Sequence, residues 1–218
     1  MPYIIGFVSQ KGGVGKSTLA RASAVSLAGE GYRVRLCDLD IQQGTVLEWY
    51  RRRLQGGAQP LASVEYYQTV AHVLKSGLDV NPSFDIIIID APGRSSEATL
   101  SLAQAAHLVI QPTSGTLDDL NPGIRLFHEL RSKQVSTQKT VFALTRTTSD
   151  REEEMAREYI GQAGYTVFAS TLPDRAGYKT AQNSGLTVLE TPYPSLNQRA
   201  ESLIKEMTDY INLLYTEK

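Results

Sequence analysis

A run rich in glycine and lysine near the start of the chain has the residue types and spacing of a phosphate-binding loop. Its residues, in order, are Gln10, Lys11, Gly12, Gly13, Val14, Gly15, Lys16, Ser17 and Thr18. Glycines let backbone N–H groups turn inward around phosphate oxygens, and a helix that begins after the loop points its positive dipole end at the same anion. We therefore expect the whole run from Lys11 to Thr18 to bind a nucleotide, with Lys16 reaching the β- and γ-phosphates and the Ser17 hydroxyl serving as a Mg²⁺ ligand.

Carboxylates follow two of the apolar runs that we predict to be strands. Asp38 and Asp40 follow the second run, and Asp90 directly follows the run at residues 84–89. Because α/β folds bind ligands at the carboxyl ends of their strands, Asp90 is placed to hold Mg²⁺ through water. Gly93 would let the following loop move when the γ-phosphate leaves. Asp38 could instead cap a helix or loop.

Short apolar runs alternate with longer amphipathic stretches along the chain. The predicted strands cover residues 3–8, 33–37, 64–67, 84–89, 107–110 and 140–144. The predicted helices cover residues 17–28, 45–54, a segment ending near 76, 117–133, 151–162 and 196–215. This alternation predicts a single α/β domain over residues 1–218, with a mostly parallel central sheet and helices on both faces, as in P-loop nucleoside triphosphatases (NTPases).

The overall composition excludes several classes of protein. The chain has 22 Lys and Arg against 23 Asp and Glu, so its net charge gives no general attraction to nucleic acid or membranes. Its single cysteine, Cys37, cannot form a disulfide within the chain, which fits a reducing cytoplasm. The first residues lack a basic region and are predicted to be a strand rather than a signal peptide.

The phosphate loop departs from the usual pattern at Gln10, where a glycine is expected, and carries the additional Lys11. In this it resembles the deviant Walker motif of the ParA/MinD family. The resemblance implies that Lys11 reaches across a dimer to the phosphates of the partner's nucleotide. The run from Asp38 through Asp40 to Gln42 is similar to the family's Asp-x-Asp-Pro-Gln, without the proline. By this analogy Asp40 either orients the attacking water or orients the hydration shell of Mg²⁺, in which case it binds the metal through water.

The resemblance also points to an adenine end of the site. Thr145 and Arg146 stand where many relatives carry Asn-Arg, of which the asparagine reads adenine, and small partition proteins of the ParF type look similar here. Arg146 could stack on the base or be a surface arginine. Residues 171–175 resemble the segment whose backbone lines the base, which implies that Pro173 and Asp174 contact the nucleotide.

Basic residues gather in the first 60 residues, which hold eight Lys and Arg against four Asp and Glu, a net charge of +4. Arg51, Arg52 and Arg53 end a predicted helix, where they complement the helix dipole, and we expect them to be solvated. Family members bind DNA nonspecifically through basic residues at the ATP-bound dimer. Arg175 and Lys179 are the matching candidates for DNA contacts.

Taken as a whole, the resemblance implies an ATPase with slow intrinsic turnover that uses ATP and Mg²⁺. It implies an ATP-dependent homodimer that binds nonspecific DNA in the nucleoid, and a ParB-like activator that binds a centromere or cargo. The role would be plasmid or chromosome partition, or cargo positioning. One alternative is a MinD-like membrane-cycling ATPase, although residues 202–218 lack the lysine-rich polar face that a membrane anchor needs. Another is a metabolic P-loop ligase or kinase.

Overall fold

The computed structural model describes residues 2–40, 44–78, 84–93 and 96–216. These residues form strands β1 (Tyr3–Phe7), β2 (Val34–Asp38), β3 (Ser63–Tyr66), β4 (Ile86–Asp90), β5 (Leu108–Thr113), β6 (Thr140–Thr147) and β7 (Thr166–Pro173). They also form helices α1 (Lys16–Gly29), α2 (Thr45–Gln55), α3 (Val70–Leu78), α4 (Ser96–Ala105), α5 (Leu117–Ser132), α6 (Asp150–Gln162), α7 (Ala176–Asn183) and α8 (Pro194–Thr216), with a short 3₁₀ turn at Thr137–Lys139.

All seven strands form one sheet in the order β3-β2-β4-β1-β5-β6-β7, and every neighbouring pair is parallel. Successive side chains of a strand point to opposite faces, so Ile5 packs into one core and Ile4 into another. Helices α1, α2, α7 and α8 cover the first face, and α3 to α6 cover the second. The predicted α/β fold with helices on both faces is confirmed.

The sheet brings the carboxyl ends of β1, β2 and β4 together. Phe7 and Asp38 both pair in register with Asp90. The chain moves from β1 to one side of the sheet for β2 and β3, and from β4 to the other side for β5, β6 and β7. This reversal beside β1 creates a crevice at the start of the glycine-rich loop, which is where open α/β sheets bind ligands.

Five elements of the sheet and its helices differ from the sequence prediction. Strand β7 was not predicted because it is a partly exposed edge strand without a continuous apolar run. Helices α4 and α7 were also not predicted, and both are short. Strands β5 and β6 each extend three residues further than predicted, because the added residues are polar yet mostly buried near the crevice. These are Gln111, Pro112 and Thr113 in β5, and Thr145, Arg146 and Thr147 in β6.

The prediction of a solvated helix end was wrong for Arg53. Its side chain is 2% exposed, and its two Nη atoms lie 2.9 and 3.0 Å from the carboxylate oxygens of Glu190. Nearby, Trp49 Nε1 donates a 2.9 Å hydrogen bond to the carbonyl oxygen of Leu186. Gly185 has φ +77°, and a Cβ there would lie 2.2 Å from the Arg53 backbone nitrogen. Arg53 thus ties α2 to the segment that leads into α8.

We expect Glu190→Gln to destabilise the protein by about 2 kcal/mol at pH 7, because it leaves the buried Arg53 charge unpaired. Burial raises the pKa of Glu190, but hydrogen bonds from Arg53 and Thr187 outweigh this effect and hold the pKa below its usual value. The ionised Glu190 therefore makes its full contribution to the free energy of unfolding above the unfolded-state pKa. This contribution is lost as the pH falls through the lowered folded-state pKa. Urea denaturation at pH 7 and pH 3.5, with exposed Glu201→Gln as the control, tests this. A destabilisation of equal size at both pH values would contradict it.

Candidate functional site

The glycine-rich loop connects β1 to α1 and turns at two glycines with left-handed backbones. Gly13 has φ +78° and Gly15, which caps the start of α1, has φ +97°. Glycine adopts these angles without a Cβ clash. Helix α1 begins at Lys16, whose side chain is only 8% exposed and whose Nζ lies 3.4 Å from the Lys11 carbonyl oxygen. Loop and helix start thus form an anion cradle.

A cleft of about 350 Å³ opens at this loop. Of the residues predicted from sequence, it brings together Gly12, Gly13, Gly15, Lys16, Ser17, Thr18, Asp40, Asp90, Gly93, Arg146, Pro173, Asp174, Arg175 and Lys179. It is also lined by Arg21, Thr45, Ala91, Thr145, Leu172, Tyr178, Gln182 and Val188. Segments that lie far apart in the sequence therefore meet at one site.

Two of the residues predicted to bind the nucleotide, between Lys11 and Thr18, do not line the cleft. The Val14 side chain is 4% exposed and is buried in the protein. The Lys11 side chain is 41% exposed, and its Nζ lies 3.3 Å from Asp119 Oδ1 in the first turn of α5. Asp119 also accepts a 2.7 Å hydrogen bond from Ser114 Oγ. Lys11 is thus held at the surface, outside its own chain's cleft.

Asp90 lies at the end of β4 and is 1% exposed. Burial raises the pKa of its carboxyl to about 7, and the charge of Asp38 acts in the same direction, while the Ser17 hydroxyl and the charges of Lys16 and Arg21 oppose it. Within the part of the chain that the structure describes, Asp90 Oδ1 has no hydrogen-bond partner. A buried carboxylate oxygen without a partner, beside a hydroxyl, is a donor set that suits a hydrated divalent cation.

Asp38 and Asp40 differ in what they do, although both follow β2. Asp38 is buried, and its two oxygens accept hydrogen bonds from the backbone nitrogens of Asp40 at 2.9 Å and Val46 at 3.2 Å. Asp38 therefore holds the turn and the start of α2, as the capping alternative predicted, while Asp40 lines the cleft. The remaining motif residues, Ile41 and Gln42, lie outside the described residues.

Arg21 is a site residue that the sequence reasoning missed. It is 7% exposed, and its Nη2 donates a 2.6 Å hydrogen bond to the Thr45 carbonyl oxygen. Burial lowers its pKa to about 10, against the opposing charges of Asp90 and Asp38. Arg21 follows Ser17 by four residues on α1, a spacing that places both on one helix face and was available in the sequence.

The cleft also combines apolar side chains with polar groups that are already hydrogen-bonded. Leu172, Pro173 and Val188 supply an apolar lining of the kind that suits a flat ring. Thr18 Oγ1 donates a 2.9 Å hydrogen bond to Gln182 Oε1. Thr145 Oγ1 donates to the Val14 carbonyl oxygen at 2.7 Å, so the hydroxyl is directed at the glycine-rich loop.

The two residues predicted to contact DNA lie on the rim of this same cleft. Arg175 and Lys179 are both exposed. Lys179 Nζ lies 2.7 Å from Asp174 Oδ1, and this hydrogen bond lowers the pKa of the Asp174 carboxyl. Arg175 Nη1 donates to the Asp174 carbonyl oxygen at 2.9 Å. The Asp174 carboxylate therefore partly balances the charge of Lys179.

Residues 5–188 match the family model described as the CobQ/CobB/MinD/ParA nucleotide binding domain. The chain belongs to this family. The predicted membership of the ParA/MinD group is thereby confirmed. Similar proteins include the maintenance of carboxysome distribution protein A of Gloeobacter kilaueensis, with 26% identity covering 87% of this chain and 85% of the relative. They also include the chromosome-partitioning ATPase Soj of Thermus thermophilus, with 25% identity covering 85% of this chain and 87% of the relative.

Solved structures agree with this fold. The septum site-determining protein MinD of Pyrococcus horikoshii, complexed with Mg-ADP, superposes with a TM-score of 0.74 at 19% identity, covering 98% of this chain and 99% of that chain. A putative plasmid partition protein of Borrelia burgdorferi bound to AMPPNP gives a TM-score of 0.73 at 19% identity, covering 96% and 99%. At this identity the likeness concerns the fold alone. Among the described residues, no helix is long and apolar enough to cross a membrane.

Proposed function

We propose that this protein is an ATPase whose ATP-bound form dimerises, binds nonspecific DNA and drives partition or positioning of a cargo. The observation that carries the proposal is the contrast between its two loop lysines. Lys16 lies in the cleft, whereas Lys11 is held at the surface by Asp119 and does not line its own cleft. A lysine in a phosphate loop that does not serve its own site is available to a second chain.

Each part of the cleft has a role in nucleotide binding. Lys16 and the N–H groups of the loop bind the β- and γ-phosphates, and the apolar end formed by Leu172, Pro173 and Val188 receives the base. Ser17 and, through water, Asp90 and Asp40 would hold Mg²⁺, which would supply positive charge to the phosphate oxygens. Pro173 and Asp174 complete the adenine end of the site, whereas Arg146 donates its hydrogen bond to the Gly13 carbonyl oxygen of the loop.

Asp40 is the residue that we assign to positioning the attacking water. It lines the cleft beside Thr45, and Asp38 accepts a hydrogen bond from its backbone nitrogen and so fixes its place. Asp40→Ala is expected to bind ATP normally and to hydrolyse it at least about tenfold more slowly, because a misplaced water attacks poorly. Comparing nucleotide affinity with phosphate release tests this. Unchanged turnover would remove Asp40 from the mechanism.

Lys11 would act on the nucleotide of a partner chain, as the family resemblance implies. To do so it must leave Asp119, a partly exposed ion pair whose loss costs about 0–1 kcal/mol. Two nucleotides enclosed between two chains would exclude water, which strengthens every interaction with the phosphates. Turnover would be slow in the dimer alone and faster with an activator that binds the cargo.

Light scattering with a nonhydrolysable ATP analogue tests this shared site. We expect the wild-type protein to dimerise with the analogue and not with ADP, and Lys11→Ala to bind the analogue yet remain monomeric. Lys205→Ala, which removes an exposed lysine on α8, is the matched control and should dimerise. Dimerisation of Lys11→Ala at the wild-type protein concentration would overturn the role of Lys11.

The names of two relatives support a partition or positioning role, because they describe chromosome partition and carboxysome distribution. We propose that the ATP-bound dimer of this chain binds nonspecific DNA. Arg175 and Lys179 would contact the DNA, and a ParB-like protein would be the activator. At the cleft rim Lys179 is already paired with Asp174, so we expect useful affinity for DNA to need two chains side by side. Such binding rests on phosphates and weakens steeply as salt is added.

A further inference from the structure

The carboxyl end of β6 holds two successive carbonyl groups of the glycine-rich loop. Thr145 Oγ1 donates a 2.7 Å hydrogen bond to the Val14 carbonyl oxygen, and Arg146 Nη1 donates a 2.7 Å hydrogen bond to the Gly13 carbonyl oxygen. The Thr145 hydroxyl also lies 3.4 Å from the Thr113 carbonyl oxygen, so the Val14 contact is the shorter of the two. Neighbouring residues of one strand therefore fix neighbouring peptide units of the loop.

Because these two carbonyl groups are held in place, the directions of the N–H groups in the same peptide units are fixed as well. In a trans peptide the C=O and the N–H of one unit point in opposite directions. A Gly13 carbonyl held by Arg146 turns the Val14 N–H away from β6, and a Val14 carbonyl held by Thr145 does the same for the Gly15 N–H. These are the donors that a phosphate loop must direct at its anion.

Near these contacts the loop turns at two glycines, whereas the backbone of Arg146 is strained in a way that supports a functional role. Gly13 and Gly15 have φ of +78° and +97°, and Arg146 has φ +56° although it is not a glycine. A bulky residue in this region is an outlier that persists only where its surroundings determine it. At Arg146 this backbone directs the guanidinium to the Gly13 carbonyl, which is 133 residues away in sequence.

We propose that Thr145 and Arg146 are positioning residues that hold the Val14 and Gly15 N–H groups towards the phosphates of the nucleotide. Their contribution to binding then goes through the phosphate chain and is independent of the base. The Thr145 hydroxyl has one proton, which it donates to the loop, so it has none to donate to a base. This inference rests on the proposed nucleotide-binding role of the cleft and is independent of dimerisation and DNA binding.

Calorimetric titration of Thr145→Val with three ligands tests the inference. The ligands are ATP, GTP and inorganic tripolyphosphate, each with Mg²⁺. Removing the hydroxyl should weaken binding of all three by the same factor, about tenfold, because a buried hydrogen bond to the loop is lost. The matched control is Thr147→Val, since Thr147 is 0% exposed on the same strand and its hydroxyl donates to Glu153 rather than to the loop. This control should bind all three ligands as the wild type does.

Arg146→Gly is a second variant, and we expect it to fold normally, so that a loss of binding cannot be attributed to misfolding. Glycine suits the left-handed backbone at this position, so the substitution removes the guanidinium without adding strain. Since Arg146 is exposed, we expect a smaller loss than for Thr145→Val, about threefold for each ligand, with no fall in the melting temperature of the nucleotide-free protein.

The outcomes separate this inference from the proposed function. A loss confined to ATP, with GTP and tripolyphosphate unaffected, would show base recognition and overturn the positioning role. Wild-type affinities in both Thr145→Val and Arg146→Gly would also overturn it, as would an equal loss in Thr147→Val. Failure of the wild-type protein to bind any of the three ligands would contradict the nucleotide site itself.

Discussion

Replacing Lys16 with alanine will weaken ATP binding by roughly 30-fold to several thousandfold, which corresponds to about 2–5 kcal/mol. Lys16 is 8% exposed at the start of α1, so its ammonium is already largely removed from water before a nucleotide arrives. A triphosphate in the cleft restores the interactions that the ammonium lost on burial, with charge-assisted hydrogen bonds that are among the strongest available in proteins. Alanine supplies none of them.

The measurement is a calorimetric titration of both proteins with a nonhydrolysable ATP analogue in the presence of Mg²⁺. Lys205→Ala is a suitable control because it removes a lysine that is 76% exposed and far from the loop in sequence. It should bind the analogue as the wild type does. An affinity of Lys16→Ala within about threefold of the wild type would remove the cleft from nucleotide binding.

Replacing Asp90 with asparagine is expected to have opposite effects on activity and on stability. Asp90 is 1% exposed, and its Oδ1 has no hydrogen-bond partner within the described ranges, so it is placed to hold the water shell of Mg²⁺. The asparagine amide has the same shape without the charge. We expect Mg²⁺-dependent ATP turnover to fall about 100-fold, a loss of the size seen when a group that stabilises transition-state charge is removed.

The same substitution should stabilise the nucleotide-free protein by about 4 kcal/mol near pH 8. Burial raises the folded-state pKa of Asp90 from 3.8 to about 7, so the folded state binds more protons than the unfolded chain between these values. The free energy of unfolding of the wild type therefore falls as the pH rises through this window. An asparagine at this position does not titrate, so the advantage of the variant is complete above the window and disappears below it.

Urea denaturation near pH 8 and pH 4, together with phosphate release, measures both effects. Asp209→Asn is the control, because that carboxylate is 59% exposed on α8. A variant that loses activity and stability together at pH 8 would show that Asp90 holds the fold rather than a cation. Full activity would exclude it from the mechanism.

Most of the residues that we predicted to bind phosphates lie together in the cleft, and they could be predicted because the pattern that identifies them is local. The loop from Lys11 to Thr18 needs only a strand before it and a helix after it. The position of Asp90 at the ligand-binding edge followed from the rule that the carboxyl ends of parallel strands lie at one edge of the sheet. Arg21 was missed although its spacing from Ser17 on α1 would have identified it.

The remaining differences arise from packing that no local pattern encodes. Arg53 has the sequence of a solvated helix end, yet it is buried because Glu190, 137 residues later, pairs with it. The strands predicted at residues 107–110 and 140–144 stopped three residues short, because polar residues such as Gln111 and Thr145 continue β5 and β6. The contact between Lys11 and Asp119 likewise depends on where α5 begins relative to the loop, which the sequence of either segment does not state.

The most direct test of the central claim is binding of the wild-type protein to a nonspecific DNA duplex. The binding would be measured at low and high salt with ADP and with a nonhydrolysable ATP analogue. A nucleotide switch that acts on DNA predicts binding with the analogue at low salt, none with ADP, and release as salt is raised. DNA binding of equal strength with ADP and with the analogue, or none with either while both nucleotides bind, would contradict it.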